Sequence, residues 1–238
     1  MRRAAQYMAP GCNLTWLAEI GKDLALAVRP RSKFHRLVMS EVLVEAGLTL
    51  IQEAVVSPNL SELARARQVR NGLMVALLAL CPIRRKNFAS LEIGRSFQKV
   101  RGKWWILLSA PDERPVDELL TPVIDRYLDQ HRRVLARTNN PPSALWLSSS
   151  NGMPMMGGSV RGVISATTLA TVGVDVSPHL FRTSAASTAA ILGGENPYLG
   201  SALLHHTDSR VTNEHYNRAS SLSAAESFRQ IVRQYEKT

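Results

Sequence analysis

Ser177-Pro178-His179-Leu180-Phe181-Arg182-Thr183 is the stretch from which the rest of the chain becomes readable. His179 and Arg182 are three residues apart, so on a helix they share one face. Leu180 and Phe181 are free to point into a core. One face then offers a proton-transfer group beside a guanidinium, which grips phosphate oxygens in a planar fork. The pair H-x-x-R is common in proteins and does not by itself select a function.

Upstream, the periodicities set the fold class. To about residue 36 the chain is irregular, with one short amphipathic helix carried by Trp16, Leu17, Ile20, Leu24 and Leu26. Arg29 to Arg36 is basic and broken by Pro30. It reads equally well as a solvated linker or as a segment lying on a phosphate backbone. Ser40 is placed as the N-cap of a helix carrying Val42, Leu43, Ala46, Leu48 and Leu50, and Ser57-Pro58 stops it. A second helix is expected from about Ser61 to Pro82. The composition then changes. Ser90 to Val100 and Trp104 to Leu108 read as strands of a small sheet. Pro111-Asp112-Glu113-Arg114-Pro115 reads as a turn. Helical spacing returns from Val116 to about Leu135. After a Pro-rich loop and the Asn151-Gly152 turn, helices are expected at about 159–172, 179–192, 197–204, 210–218 and 222–235. Helices, a small antiparallel sheet and helices again make an α+β class, mostly α.

The charge narrows the partners. Lys plus Arg total 29 against 19 Asp plus Glu, a formal net charge of +10. Only six of the 29 are lysines and 23 are arginines. A basic, arginine-rich surface attracts a polyanion by releasing counterions, so nucleic acid is favoured over an uncharged partner. Cys12 and Cys81 are too far apart in sequence to suggest a metal cluster or a disulfide framework, which fits a reduced, cytoplasmic setting. No apolar run is long enough to span a membrane, and no membrane partner is expected. No Gly-rich phosphate loop, metal-ligand spacing or G-x-S-x-G elbow is present.

Two more clusters stand with the first. Cys81-Pro82-Ile83-Arg84-Arg85-Lys86-Asn87 follows an apolar helix and puts three cations at its end. The plainer reading is that they complement the helix dipole. Leu203-Leu204-His205-His206-Thr207-Asp208 is followed by Glu214-His215-Tyr216-Asn217-Arg218-Ala219 near the C-terminus.

An Arg after an apolar helix, then H-x-x-R, then a His-bearing turn, then a Tyr resembles, in that order, the tyrosine recombinases and phage integrases. The resemblance runs from about residue 60 to the end. His179 to Ser187 is similar to the family's H-x-L-R helix, Leu204-His205-His206-Thr207 to its L-G-H-S turn, and Glu214 to Ala219 to its nucleophile segment. It implies site-specific recombination or integration by cutting and rejoining double-stranded DNA through a 3′-phosphotyrosine, without metal or nucleotide cofactor. By the same resemblance Tyr216 is the nucleophile, Arg84 and Arg182 hold the non-bridging phosphate oxygens, His179 assists proton transfer, and His206 bonds a phosphate oxygen, with His205 its nearest rival. Other protomers on the DNA, in a tetrameric synapse, are implied as partners. Residues 1–58 then form a short helical segment and linker, a remnant of a DNA-clamping domain, and 59–238 the catalytic domain.

The chain also departs from that pattern. The family carries a lysine in a β-hairpin as general acid for the leaving hydroxyl. The corresponding turn, expected at Ala110–Arg114, holds none. Lys103 lies at the other end of the strand, and the guanidinium of Arg114 is too weak an acid to serve. Losing a general acid costs about a hundredfold to ten-thousandfold in rate. Asn87 stands where many members carry an acid, and His205 replaces a Gly. A degenerate, weakly active or inactive DNA-binding relative is therefore the alternative.

Overall fold

The computed structural model describes residues 2–27, 36–109 and 112–192. The chain divides into two units, residues 1–35 and 36–238. In the first, α1 (Arg2–Met8) and α2 (Thr15–Ala27) are both helical, where one helix was expected. Asn13 starts α2: its Oδ1 accepts from the Thr15 N–H at 3.1 Å and from the Thr15 hydroxyl at 2.7 Å. Of the basic stretch from Arg29, only Arg36 lies among the described residues.

The second unit is built around α3 (Ser40–Val56) and α4 (Glu62–Leu80). Within it α3 packs along α4. Two glycines set that packing. A Cβ on Gly47 would stand 2.6 Å from the Gly72 carbonyl oxygen, and one on Gly72 would stand 2.5 Å from that of Gly47. The backbones therefore touch where any side chain would hold them apart. From Val69 to Ala79, α4 is buried on nearly every side, as befits the central helix of the core. It starts where expected, and Ser61 caps it, accepting from the Ala64 N–H at 3.3 Å.

Ser40 is not the cap of α3. Met39 holds that position, and Ser40 is the first helical residue. Its N–H is taken instead by the Thr188 hydroxyl, 3.0 Å away on a helix 148 residues further along. At the other end of α3, Arg65 reaches back from α4 and donates to the carbonyls of Ala54 (3.1 Å), Ser57 (2.9 Å) and Leu60 (3.4 Å), closing a helix end that would otherwise leave them unpaired.

After α5 (Arg85–Ala89) comes an antiparallel sheet in the order β1 (Phe97–Val100), β2 (Lys103–Ser109), β3 (Asp112–Pro115). The expected turn at 111–115 is thus mostly strand. Trp105 pairs with Pro115, Ile106 with Arg114 and Leu107 with Glu113. The two prolines imitated a turn, but Pro115 ends an edge strand, where a missing N–H is tolerated. Phe97 stacks on Trp104 at 4.7 Å, and the Trp104 indole N–H donates to Asp125 at 3.0 Å, fixing the sheet to the next helix.

That helix begins with a 3-10 turn (Glu118–Leu120) and continues as α6 (Thr121–Arg126), a π segment (Tyr127–His131) and α7 (Arg132–Ala136). The loop behind it is held by side chains rather than strands. Tyr127 donates to the Leu145 carbonyl at 2.9 Å, Trp146 to that of Phe88 at 2.9 Å, Arg132 to those of Ala144 and Pro142, and Arg70 to that of Leu147 at 2.7 Å. The helices α8 (Gly157–Val172) and α9 (Pro178–Leu192) follow within two residues of their expected starts. The expected α+β, mostly α class is what the structure has. The helices expected at 197–204, 210–218 and 222–235 lie outside the described residues. Among the described residues no helix is long and apolar enough to cross a membrane.

Candidate active site

The central helix delivers the first cation. At Cys81 the α4 backbone leaves the helical region, and the Ile83 N–H bonds to the Cys81 carbonyl at 2.7 Å, making a tight bend through Pro82. Arg84 follows as the N-cap of α5, in extended conformation, with its side chain exposed. Ile83 before it and Phe88 after it are buried. An exposed guanidinium is therefore carried on a turn anchored by apolar residues on both sides. Arg85 turns toward the start of α8, its Nε 3.9 Å from where a Cβ on Gly157 would stand.

The second cation comes from α9. Leu180, Phe181, Ser184, Ala185 and Ala186 are buried, so the helix is seated as the sequence pattern requires. His179 is exposed. Arg182 is only 9% exposed, and its Nη1 donates to the Pro82 carbonyl at 2.6 Å. That bond spans 100 residues of sequence and ties the H-x-x-R helix to the turn that presents Arg84. Of the five residues singled out from the sequence, Arg182 is bonded to the turn that carries Arg84, and His179 lies one helical turn before Arg182 on α9. His206, its rival His205, and Tyr216 lie outside the described residues.

The neighbouring sheet bears on the same turn. The Cys81 thiol lies 3.8 Å from the Pro115 carbonyl on β3. Burial pushes this thiol up to about 12, against which the nearby charge of Arg114 pulls it down. Arg114 itself is buried opposite Ile106. Lys103 stands at the far end of β2, next to Val100, where its ammonium pairs with Glu118 at 2.5 Å. The hydrogen bond and charge of Glu118 hold Lys103 above the ordinary lysine range. The residues joining β2 to β3, 110 and 111, lie outside the described ones.

Some supporting residues were not legible beforehand. Arg36, assigned to a basic linker, bonds through Nε to the Asp175 carbonyl at 3.0 Å and through Nη2 to its carboxylate at 2.9 Å. It thereby holds the chain just before α9. The buried Thr168 hydroxyl accepts the Val176 N–H at 3.0 Å and fixes the same approach. Neither has a local signal, because each partner is over a hundred residues away or set by a helix-to-loop crossing. Arg70 and Arg132, both buried, donate to backbone carbonyls, so part of the arginine excess fastens the fold.

No family model matches the sequence, and no curated protein matches it. Solved structures do. XerH site-specific recombinase bound to its palindromic difH substrate, in a post-cleavage complex, superposes with a TM-score of 0.59 at 17% identity, over 82% of this chain and 53% of that one. XerA recombinase gives 0.53 at 17% identity, over 84% and 66%. XerH in its pre-cleavage complex with difH gives 0.56 at 16% identity, over 79% and 52%. The fold is that of a tyrosine recombinase. This chain spans about half to two thirds of the length of those neighbours. In this recombinase fold Arg84 and Arg182 come from a loop after the central helix and from a helix 100 residues later, and the Pro82 carbonyl is their meeting point.

Proposed function

We propose that this chain is the catalytic portion of a site-specific DNA recombinase that cuts and rejoins DNA through a tyrosine. The observation that carries the reading is the bond from Arg182 to the Pro82 carbonyl, which sets a second guanidinium beside the turn of Arg84 within a recombinase fold. Two guanidiniums can neutralise the charge that builds on the non-bridging oxygens of a phosphodiester during in-line attack. Tyr216 Oη attacks the phosphorus, the bond to the 5′-oxygen breaks, and a 3′-phosphotyrosine and a free 5′-hydroxyl form. An incoming 5′-hydroxyl reverses the step. His179 moves the nucleophile's proton, and His206 donates to a phosphate oxygen. Duplex DNA is the substrate, residues 59–238 form the catalytic domain with α3 docked on it, and further protomers assemble on the DNA.

One observation favours a second reading, a DNA-binding relative that cuts slowly or not at all. The nearest sheet lysine, Lys103, is paired with Glu118 at the end of β2 away from the β2–β3 link. Recovery of protein–DNA adducts under denaturing conditions separates the two. An active recombinase yields adducts with the wild type and none with Tyr216→Phe. The inactive relative yields none with either, yet binds duplex DNA with strong salt dependence.

A further inference from the structure

At the end of α4 remote from Arg84, some 15 residues and so roughly 22 Å along the helix axis, a second polar cleft opens between α4 and the α6–π–α7 helix. It has a volume of about 490 Å³ and is lined by Glu62 and Arg65 from α4, Arg126, Gln130 and His131 from the other helix, and Val55 at the end of α3. His131 is 8% exposed, and its Nε2 is buried without a hydrogen-bond partner among the described residues. Buried polar atoms in folded proteins are nearly always satisfied, by protein, ordered water or a bound ion, so the orphan Nε2 has hydrogen-bonding capacity to offer a ligand of the cleft. His131 closes the π segment, a distortion of the helix that recurs at functional sites. Arg65 spends Nε and Nη2 on the carbonyls of Ala54, Ser57 and Leu60, which fixes its guanidinium in place and leaves Nη1 available.

We infer that this cleft binds a phosphate oxyanion, held by Arg65, Arg126 and His131. The two guanidiniums supply charge-assisted donors and the imidazole a neutral N–H. Burial, with the charges of Arg126 and Arg65 beside it, holds His131 below the ordinary histidine range, so the ring is uncharged at neutral pH and donates one proton. Glu62 is the one carboxylate lining the cleft. It repels a fully ionised anion but accepts the O–H of hydrogen phosphate, so the site selects phosphate over sulfate, which carries no proton to give. The inference is independent of the recombinase reading.

The test is a titration of the full chain with inorganic phosphate, sulfate and sodium chloride at matched ionic strength, followed by imidazole resonances and by calorimetry. The His131 signal is assigned by loss in H131Q. A saturable shift of that signal with phosphate is expected, weaker with sulfate, and with affinity reduced about tenfold in Arg126→Gln through loss of one charge-assisted donor. Arg126 is exposed, so that variant keeps the calorimetric test available even if H131Q does not fold. No saturable phosphate response overturns the site, as does a shift that chloride reproduces, sulfate binding as tight as phosphate, or unchanged affinity in Arg126→Gln. Duplex DNA that moves the His131 signal where free phosphate does not would also overturn it, assigning the orphan nitrogen to a nucleic-acid backbone.

Discussion

Arg182 has a structural duty, donating to the Pro82 carbonyl, and under the proposed function a chemical one as well. Replacing it with alanine leaves a buried carbonyl unpaired and should cost about 1–3 kcal/mol in urea unfolding. Lysine at that position keeps a charge but loses the fork. Arg182→Lys should therefore stay folded and bind duplex DNA while losing most covalent attachment; full attachment in that variant would remove the bidentate role. The two cysteines give a second residue-scale check. Cys81 is buried with its thiol pushed up to about 12, whereas Cys12 is exposed. The thiolate is the reactive form, so at pH 8 a thiol reagent should label Cys12 alone in the native protein and both after denaturation. Rapid native labelling of Cys81 would contradict the packing of α4 on β3.

The elements show which sequence signals survive folding. Helix α9 was legible because Leu180 and Phe181 lie at core-facing positions beside the His179–Arg182 face, and both are buried. The start of α4 was legible near Ser61, whose side chain accepts from the Ala64 N–H. Ser40 misled because the cap position falls one residue earlier, at Met39, while the Ser40 N–H bonds to Thr188, unknowable from local sequence. Strand β3 was hidden because Pro111 and Pro115 carry turn chemistry while the pairing that overrides it is supplied by β2. In the candidate site, Arg84, His179 and Arg182 were picked out by their order along the chain, but the Pro82 carbonyl that receives Arg182 beside the Arg84 turn is a backbone atom with no residue signature. The α3–α4 crossing makes its own prediction. A methyl at Gly47 or Gly72 collides with backbone, which cannot swing aside as a side chain can. Gly47→Ala or Gly72→Ala should lose about 1–3 kcal/mol in urea unfolding, beyond the small gain alanine brings to an ordinary helix position. A neutral result at both would mean the helices pack further apart than described.

On the scale of the whole molecule, the net charge of +10 favours a polyanionic partner, and the proposed function makes that partner duplex DNA. The arginine count overstates the binding surface, because the buried Arg70 and Arg132 are spent on carbonyls within the fold. Arg84, Arg85 and Lys86 remain exposed beside Arg182. Duplex binding should weaken steeply with added salt, with a slope set by the phosphates contacted rather than by the total charge. Replacing Arg84 and Arg85 together by glutamine should lower that slope by about two, read by fluorescence anisotropy across a salt series.

The most direct measurement locates the covalent bond. Adducts recovered from cells under denaturing conditions are digested with nuclease and trypsin, and the nucleotide-bearing peptide is identified by mass. Cleavage after Arg210 and Arg218 releases the peptide Val211–Arg218, in which Tyr216 is the one tyrosine. A nucleotide on Tyr216, lost in Tyr216→Phe, is the expected result. An adduct on any other residue, or none while an active recombinase processed in parallel gives one, would contradict Tyr216 as the nucleophile of a working enzyme.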